Sequence, residues 1–255
     1  MIKAKKKFGQ NFLKDEGVLT KIIESMPNND NRIAEIGPGL GDLTRFLVNV
    51  KSVEAFEVDT ELCALLQEKF DKELESGKLH LHCGDVLEAW QENLLNERYD
   101  LVANLPYYIA TNIILRALAD DLCENILVMV QLEVARKFCA ASGEKEFGAL
   151  SVIAQSIADC TITQIVPPSS FEPAPKVDSA VMLLSKRRSR NDAKFEQFLK
   201  VCFKQPRKTL LKNLSSVYDK NELSKLFEQL NFKPAIRPHE LSTDDYHQLY
   251  TLLTK

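Results

Sequence analysis

No apolar run in this 255-residue chain approaches the ~20 residues that a bilayer-crossing helix needs, so a membrane span is not expected. The N-terminal MIKAKKKFGQNFL is basic but leads into no apolar core of the kind a secretory signal carries, and a cytoplasmic location is the expectation. None of the six cysteines forms a C-x-x-C pair, which argues against a zinc ribbon or a thioredoxin-type site and for reduced, buried thiols. His80, His82 and Cys83 lie close together, but no second ligand cluster accompanies them, so no metal is expected. Internal repeats and low-complexity segments are absent too, which excludes a solenoid or a disordered linker protein. Nor is there an excess of positive charge: the net charge is −3, which taken alone speaks against a nucleic-acid partner.

What is present changes that last inference. The charge is segregated. From Lys186 to Lys212 ten basic residues face only Asp192 and Glu196, a local balance of +8, and residues 1–14 add five lysines without an acid. The remainder carries −16. Such separation fits a surface that meets a polyanion, although two solvated charged segments would look the same by charge alone. The candidate RNA contacts are Arg187, Arg188, Lys204, Arg207, Lys208 and Lys212.

Apolar patterning predicts the fold class. Val18, Leu19, Ile22, Ile23 and Met26 recur at helical spacing, with Asp15 placed to cap that helix. Beyond it RIAEI, SVEAFEVD, KLHLHCGD, YDLVANLP and ENILVMVQ read as buried strands, each followed by a helical segment. TELCALLQEKFDKEL is one of these helices, with Leu62, Leu65, Leu66, Phe70 and Leu74 on one side. Five strand–helix alternations demand an α/β fold with a mostly parallel sheet, covered by helices on both faces. Around TITQIVPPSSFEPAPKVDSAVMLLSK the rhythm changes to two strands joined by a proline-rich loop, an antiparallel closing hairpin. After Arg190 the pattern becomes helical, so the expected division is a cofactor-binding catalytic domain over residues 1–187 and a small all-α domain over 188–255.

The first of the buried strands ends in Glu35-Ile36-Gly37-Pro38-Gly39-Leu40-Gly41, a glycine turn that lets backbone approach a ligand, with a helix N-terminus behind it. Twenty residues after Gly37 comes Glu57 at the tip of the next strand, where a carboxylate accepts from both ribose hydroxyls. Loop and acid alone fit NAD, FAD or S-adenosyl-L-methionine. Asp85 ends the third strand, where it can accept from an adenine amine or simply cap a turn. The fourth strand ends in Asn104-Leu105-Pro106-Tyr107.

This tetrapeptide resembles the signature of methyltransferases acting on exocyclic amines, and in the form N-L-P-Y it resembles the ribosomal RNA adenine N6,N6-dimethyltransferases. Other segments agree in motif order along nearly the whole chain. Phe8-Gly9-Gln10-Asn11-Phe12-Leu13 resembles the family's N-terminal cofactor motif, and Phe171 to Ser179 its F-x-P-x-P-K-V-x-S loop, with Ala174 where many members have a third proline. Gln131 to Ala135 resembles Q-[K/R]-E-V-A, with Leu132 in place of the base. The resemblance implies a class I methyltransferase fold, a seven-stranded sheet ending in an antiparallel hairpin, and S-adenosylmethionine as cofactor. It implies that Asn11, Leu13, Gly37, Glu57, Asp85 and Asn104 contact that cofactor.

The same resemblance assigns the chemistry. The adenine amine is a weak nucleophile because its lone pair is delocalised into the ring. Acceptors that hold its hydrogens, the Asn104 side-chain oxygen and the carbonyl of Leu105 or Pro106, favour the tetrahedral geometry that attack requires. Pro106 keeps the turn rigid. Tyr107 stacks on the extruded base, and Phe171 is expected as the second wall. The ammonium product is acidic and releases its proton to water, so positioning supplies most of the rate. Within the family, N-L-P-Y and the Arg207-Lys208-Thr209-Leu210 segment favour the branch that dimethylates two adjacent adenines near the 3′ end of 16S RNA in the small ribosomal subunit. Pro206 departs from that branch's pattern. A large-subunit methylase of the macrolide-resistance type, a mainly non-catalytic assembly factor and, more remotely, a redox enzyme remain alternatives. No dimer stripe stands out, and a monomer is expected.

Overall fold

The computed structural model describes residues 5, 10–187 and 192–254. By their internal contacts these form two compact units, 1–135 with 159–187 and 136–158 with 188–255.

A seven-stranded sheet organises the first unit. β1 (Phe12–Leu13) stands apart from it; β2 (Arg32–Ile36), β3 (Val53–Glu57), β4 (Leu79–Cys83), β5 (Tyr99–Asn104) and β6 (Cys123–Gln131) are its parallel strands. β7 (Ala158–Val166) and β9 (Ser179–Lys186) complete it, and β8 (Phe171–Glu172) pairs with β1 in a separate two-stranded ladder. The order is β4-β3-β2-β5-β6-β9-β7, with β9 antiparallel to β6. β2 has β3 on one side and β5 on the other, so the strand order reverses there and a crevice opens beyond the strand tips. Ile33, Ala34, Leu101, Val102, Leu127 and Val128 are all buried, which is why these strands read as unbroken apolar runs.

The helices of this unit are α1 (Glu16–Glu24), α2 (Thr44–Leu47), α3 (Thr60–Lys69), α4 (Asp71–Glu75), α5 (Val86–Ala89), α6 (Ala110–Ala119) and the start of α7 (Leu132–Cys139). Asp15 does cap α1, its Oδ1 accepting from the Gly17 and Val18 amides. The helix expected as one piece from Thr60 breaks at Phe70, where φ −118° and ψ 31° leave the helical region; Leu62, Leu66 and Phe70 are buried, Leu65 and Leu74 only half so. Below the sheet Asp120 gathers four donors: the Trp90 Nε1 (3.0 Å), the Leu94 amide (2.7 Å) and the Tyr99 hydroxyl (2.7 Å) on Oδ2, and the Leu122 amide (2.9 Å) on Oδ1.

The second unit is helical: α8 (Ala149–Ile157), α9 (Ala193–Cys202), α10 (Leu210–Leu214), α11 (Lys220–Gln229) and α12 (Thr243–Leu253). Phe195, Phe198, Leu199, Leu210, Leu223, Phe227 and Tyr246 form its core together with Phe147 and Val152. This corrects the expected boundary: residues 136–158 lie in the stretch assigned to the catalytic domain, yet they pack with the helical unit. Val152 enters that unit's core, and the Ser156 hydroxyl lies 2.7 Å from the His247 Nε2. α8 has no counterpart among the expected elements, because ALSVIAQSI runs into β7 without a glycine or proline to mark the change.

Candidate functional site

At the tip of β2 the chain turns through Gly37, Gly39 and Gly41, all with φ between 60° and 76°. Gly41 also lacks room for a side chain, and Gly39 has little. A Cβ on Gly41 would come within 2.5 Å of the Phe70 ring, and one on Gly39 within 3.1 Å of the Phe12 ring. The turn is tied to β3 by its amides: Gly37 N donates to the Phe56 carbonyl (2.9 Å) and Gly39 N to Glu57 Oε2 (3.1 Å). Glu57 Oε1 accepts from the Asp59 amide (2.9 Å). Each carboxylate oxygen therefore keeps lone-pair capacity for a ligand hydroxyl. Burial pushes the Glu57 carboxyl above the ordinary carboxylate value, against the hydrogen bonds from Asp59 and Gly39.

Asp85, at the β4 exit, caps α5 by accepting from Leu87 N (2.8 Å) and lines the same cavity as Glu57. Capping and ligand contact are thus compatible in one carboxylate. Behind the turn Glu35 is buried and accepts from the Thr44 hydroxyl (2.7 Å); burial, with the nearby Glu57 charge adding to it, pushes its carboxyl up to about 8. The glycine spacing gave no sign that this third acid would be buried.

The cavity continues to the β5 exit, where Asn104, Leu105, Pro106 and Tyr107 line it opposite Asn11 and Leu13. Asn104 Nδ2 donates to the Asn11 carbonyl (3.2 Å), so the side-chain oxygen is the atom left to accept. The Leu105 amide is held by the Met129 carbonyl (3.1 Å), and the Pro106 carbonyl closes the turn by accepting from Ile109 N (3.2 Å). Tyr107 is half-buried, its hydroxyl 2.7 Å from the Ser179 Oγ. Tyr108, which sequence reasoning passed over, is 60% exposed at the cavity rim; the Tyr-Tyr doublet was its only signal.

Phe171 is where structure and expectation part. β1 and β8 pair antiparallel with Leu13 opposite Phe171, which brings the N-terminal motif and the proline-rich loop together. The Lys14 amide donates to the Ser170 carbonyl (2.8 Å), and the Ser170 hydroxyl to Asp15 Oδ2 (2.9 Å). That register turns the Phe171 ring into the core with Leu13, Val18 and Leu19. It is 5% exposed and does not line the cavity, so it presents no free face to a base.

Two further side-chain readings are settled by strand register. Glu57 lies opposite Cys83, and Cys63 follows on the first turn of α3 with its Cα 6.1 Å from that of Cys83, so the two cysteines, expected as separate thiols, are brought side by side. His80 and His82 do share one face, and both engage Glu54, at 2.8 and 2.6 Å.

In the helical unit Lys204, Arg207, Lys208 and Lys212 are all exposed, on the turn between α9 and α10 and on α10 itself. Buried Asn213 shapes the turn, accepting from Gln205 N (2.9 Å) and donating to the carbonyls of Gln205 (3.1 Å) and Thr209 (3.2 Å). Arg187, at the end of the first unit, pairs with Asp159 at 3.2 Å. Arg188 lies outside the described residues, as do Phe8 and Gly9 of the N-terminal motif.

Comparison with known proteins meets this geometry. The family model for ribosomal RNA adenine dimethylases matches residues 1–255. A protein of Sulfurimonas denitrificans named ribosomal RNA small subunit methyltransferase A is 66% identical over 251 residues, covering 98% of this chain and 94% of its own. One of Aliarcobacter butzleri with the same name is 53% identical, with 98% and 96% covered. Among solved structures, the 23S rRNA methyltransferase ErmE superposes with a TM-score of 0.78 at 25% identity, over 96% of this chain and all of that one. A dimethyladenosine transferase of Plasmodium falciparum gives 0.82 at 23% identity, over 95% and 97%, a likeness of fold.

Proposed function

This chain belongs to the ribosomal RNA adenine dimethylase family, and from that premise we propose that it dimethylates the N6 amines of two adjacent adenines near the 3′ end of 16S RNA in the small ribosomal subunit. The family's cofactor, S-adenosylmethionine, supplies an electrophilic methyl group. The residues present fit it: a turn whose Gly37 and Gly39 line the cavity at positive φ, a buried carboxylate with capacity on both oxygens, and a second carboxylate in the same cavity. Glu57 would hold the ribose hydroxyls and Asp85 the adenine amine, with Asn11, Leu13 and Gly37 lining the same pocket.

The observation that carries the reading is the Asn104 amide, held by the Asn11 carbonyl at the cavity wall. In this orientation its oxygen accepts one hydrogen of the target amine. The Leu105 carbonyl serves as the second acceptor, since that of Pro106 closes the turn. Tyr107 stacks on the base, and fixed geometry rather than a general base supplies the rate. The exposed Lys204, Arg207, Lys208 and Lys212 contact RNA phosphates, giving affinity without sequence choice. The protein acts in the cytoplasm as a monomer; among the described residues no helix is long and apolar enough to cross a membrane.

The experiment is transfer of labelled methyl groups to small subunits from a strain lacking the protein, with large subunits and naked RNA in parallel. Label should appear as N6,N6-dimethyladenine near the small-subunit 3′ end. Asn104→Ala should abolish it while particle binding persists. Label confined to large subunits would move the chain to the resistance branch, and tight binding without label would favour an assembly factor.

A further inference from the structure

Tyr107 lies three residues beyond the end of β5, on a short turn. Its hydroxyl is fixed from elsewhere. Ser179, the first residue of β9, is fully buried and lies opposite Gln131 in the β6–β9 ladder, so its position is set by the sheet. Its Oγ lies 2.7 Å from the Tyr107 hydroxyl, across 72 residues of sequence. A tyrosine tethered at its tip cannot swing about its Cα–Cβ bond without leaving a buried hydroxyl unpaired, which costs about 1–3 kcal/mol. A phenylalanine would stack on a base equally well, so ring area does not account for the hydroxyl. Burial raises the Tyr107 phenol above its ordinary value, so the bond joins two neutral groups and holds across the working pH range.

We propose that Ser179 is a positioning residue for methyl transfer: by its hydrogen bond to the Tyr107 hydroxyl it sets the direction of the ring's long axis, and so the place of the ring against which the target adenine stacks. The inference rests on the reading of Asn104 to Tyr107 as the transfer site. Base stacking and the placement of the amine by Asn104 must be satisfied together, and a ring free to swing away would spend much of its time out of line.

The test uses the full chain, S-adenosylmethionine and unmethylated small subunits. Ser179→Ala and Tyr107→Phe each remove the same bond from opposite ends. Each should lower kcat about tenfold, the value of one neutral hydrogen bond, with the KM for particles and the Kd for the cofactor within about twofold of wild type. The double variant should be no slower than either single one, because only one bond exists to lose. A structural role alone would lower the unfolding midpoint without this kcat-only loss; should Ser179→Ala fail to fold, Tyr107→Phe still removes the bond at the less buried partner. Wild-type kcat in either variant, or losses that multiply in the double variant, would overturn the proposal. Tyr107→Ala separates the two levels: full activity there refutes the site itself, whereas inactivity beside an unaffected Ser179→Ala refutes only the role of Ser179.

Discussion

Glu57→Gln tests the cofactor end of the cavity with a change of a single atom. In the wild type each carboxylate oxygen already accepts one backbone amide, from Gly39 at 3.1 Å and from Asp59 at 2.9 Å. A glutamine amide has only one oxygen. Whichever way it is turned, its NH2 meets one of those two N–H groups, donor against donor, and can no longer accept a ribose hydroxyl on that side. The variant loses one charge-assisted hydrogen bond to the ribose, weakens the other and loosens the Gly39 turn. At about 1.5–3 kcal/mol for a bond to a charged group, the loss in binding is ~3 kcal/mol, or roughly a hundredfold in Kd. Titration calorimetry with S-adenosylmethionine measures it directly, and a wild-type circular dichroism spectrum at the assay temperature shows that the variant is folded. Burial raises the Glu57 carboxyl, so wild-type affinity should weaken as the pH falls through that raised value, and the glutamine variant should lack this dependence. A Kd within threefold of wild type would refute the assignment of Glu57 to the ribose.

Three other outcomes are expected. Asp120→Ala strands four donors and should cost at least ~4 kcal/mol of stability, read from urea unfolding by the fluorescence of Trp90, the sole tryptophan; a loss under ~1 kcal/mol would refute the network. Glu35 binds its proton more tightly folded, at about 8 against an ordinary 4.5, so its contribution to stability is complete below pH 4.5 and is lost as pH rises toward 8; Glu35→Gln should flatten that decline in the urea midpoint, and parallel curves would count against it. Joint replacement of Arg207 and Lys208 by glutamate should weaken particle binding and reduce the salt slope of log K by about 1.5, with cofactor affinity unchanged; an unaltered slope would remove the α9–α10 turn from the RNA face.

The sequence by itself determined the alternation of strands and helices, the glycine turn after β2, and the acids and the N-L-P-Y segment at successive strand tips. Each depends on residues near one another in the chain: apolar periodicity records which face is buried, and positive φ selects glycine. The Asp15 cap was legible for the same reason. Whatever joins distant segments was decided only by the tertiary structure. The pairing of Leu13 with Phe171 turned an expected base wall into a core residue. The β3–β4 register brought Cys83 to Cys63, and the β9 ladder carried Ser179 to the Tyr107 hydroxyl. Residues 136–158 joined the helical unit because Val152 finds its apolar neighbours there. A local pattern states that a side chain is to be buried or bonded; which partner it meets depends on strand order and register, and those follow from how the whole sheet closes its core.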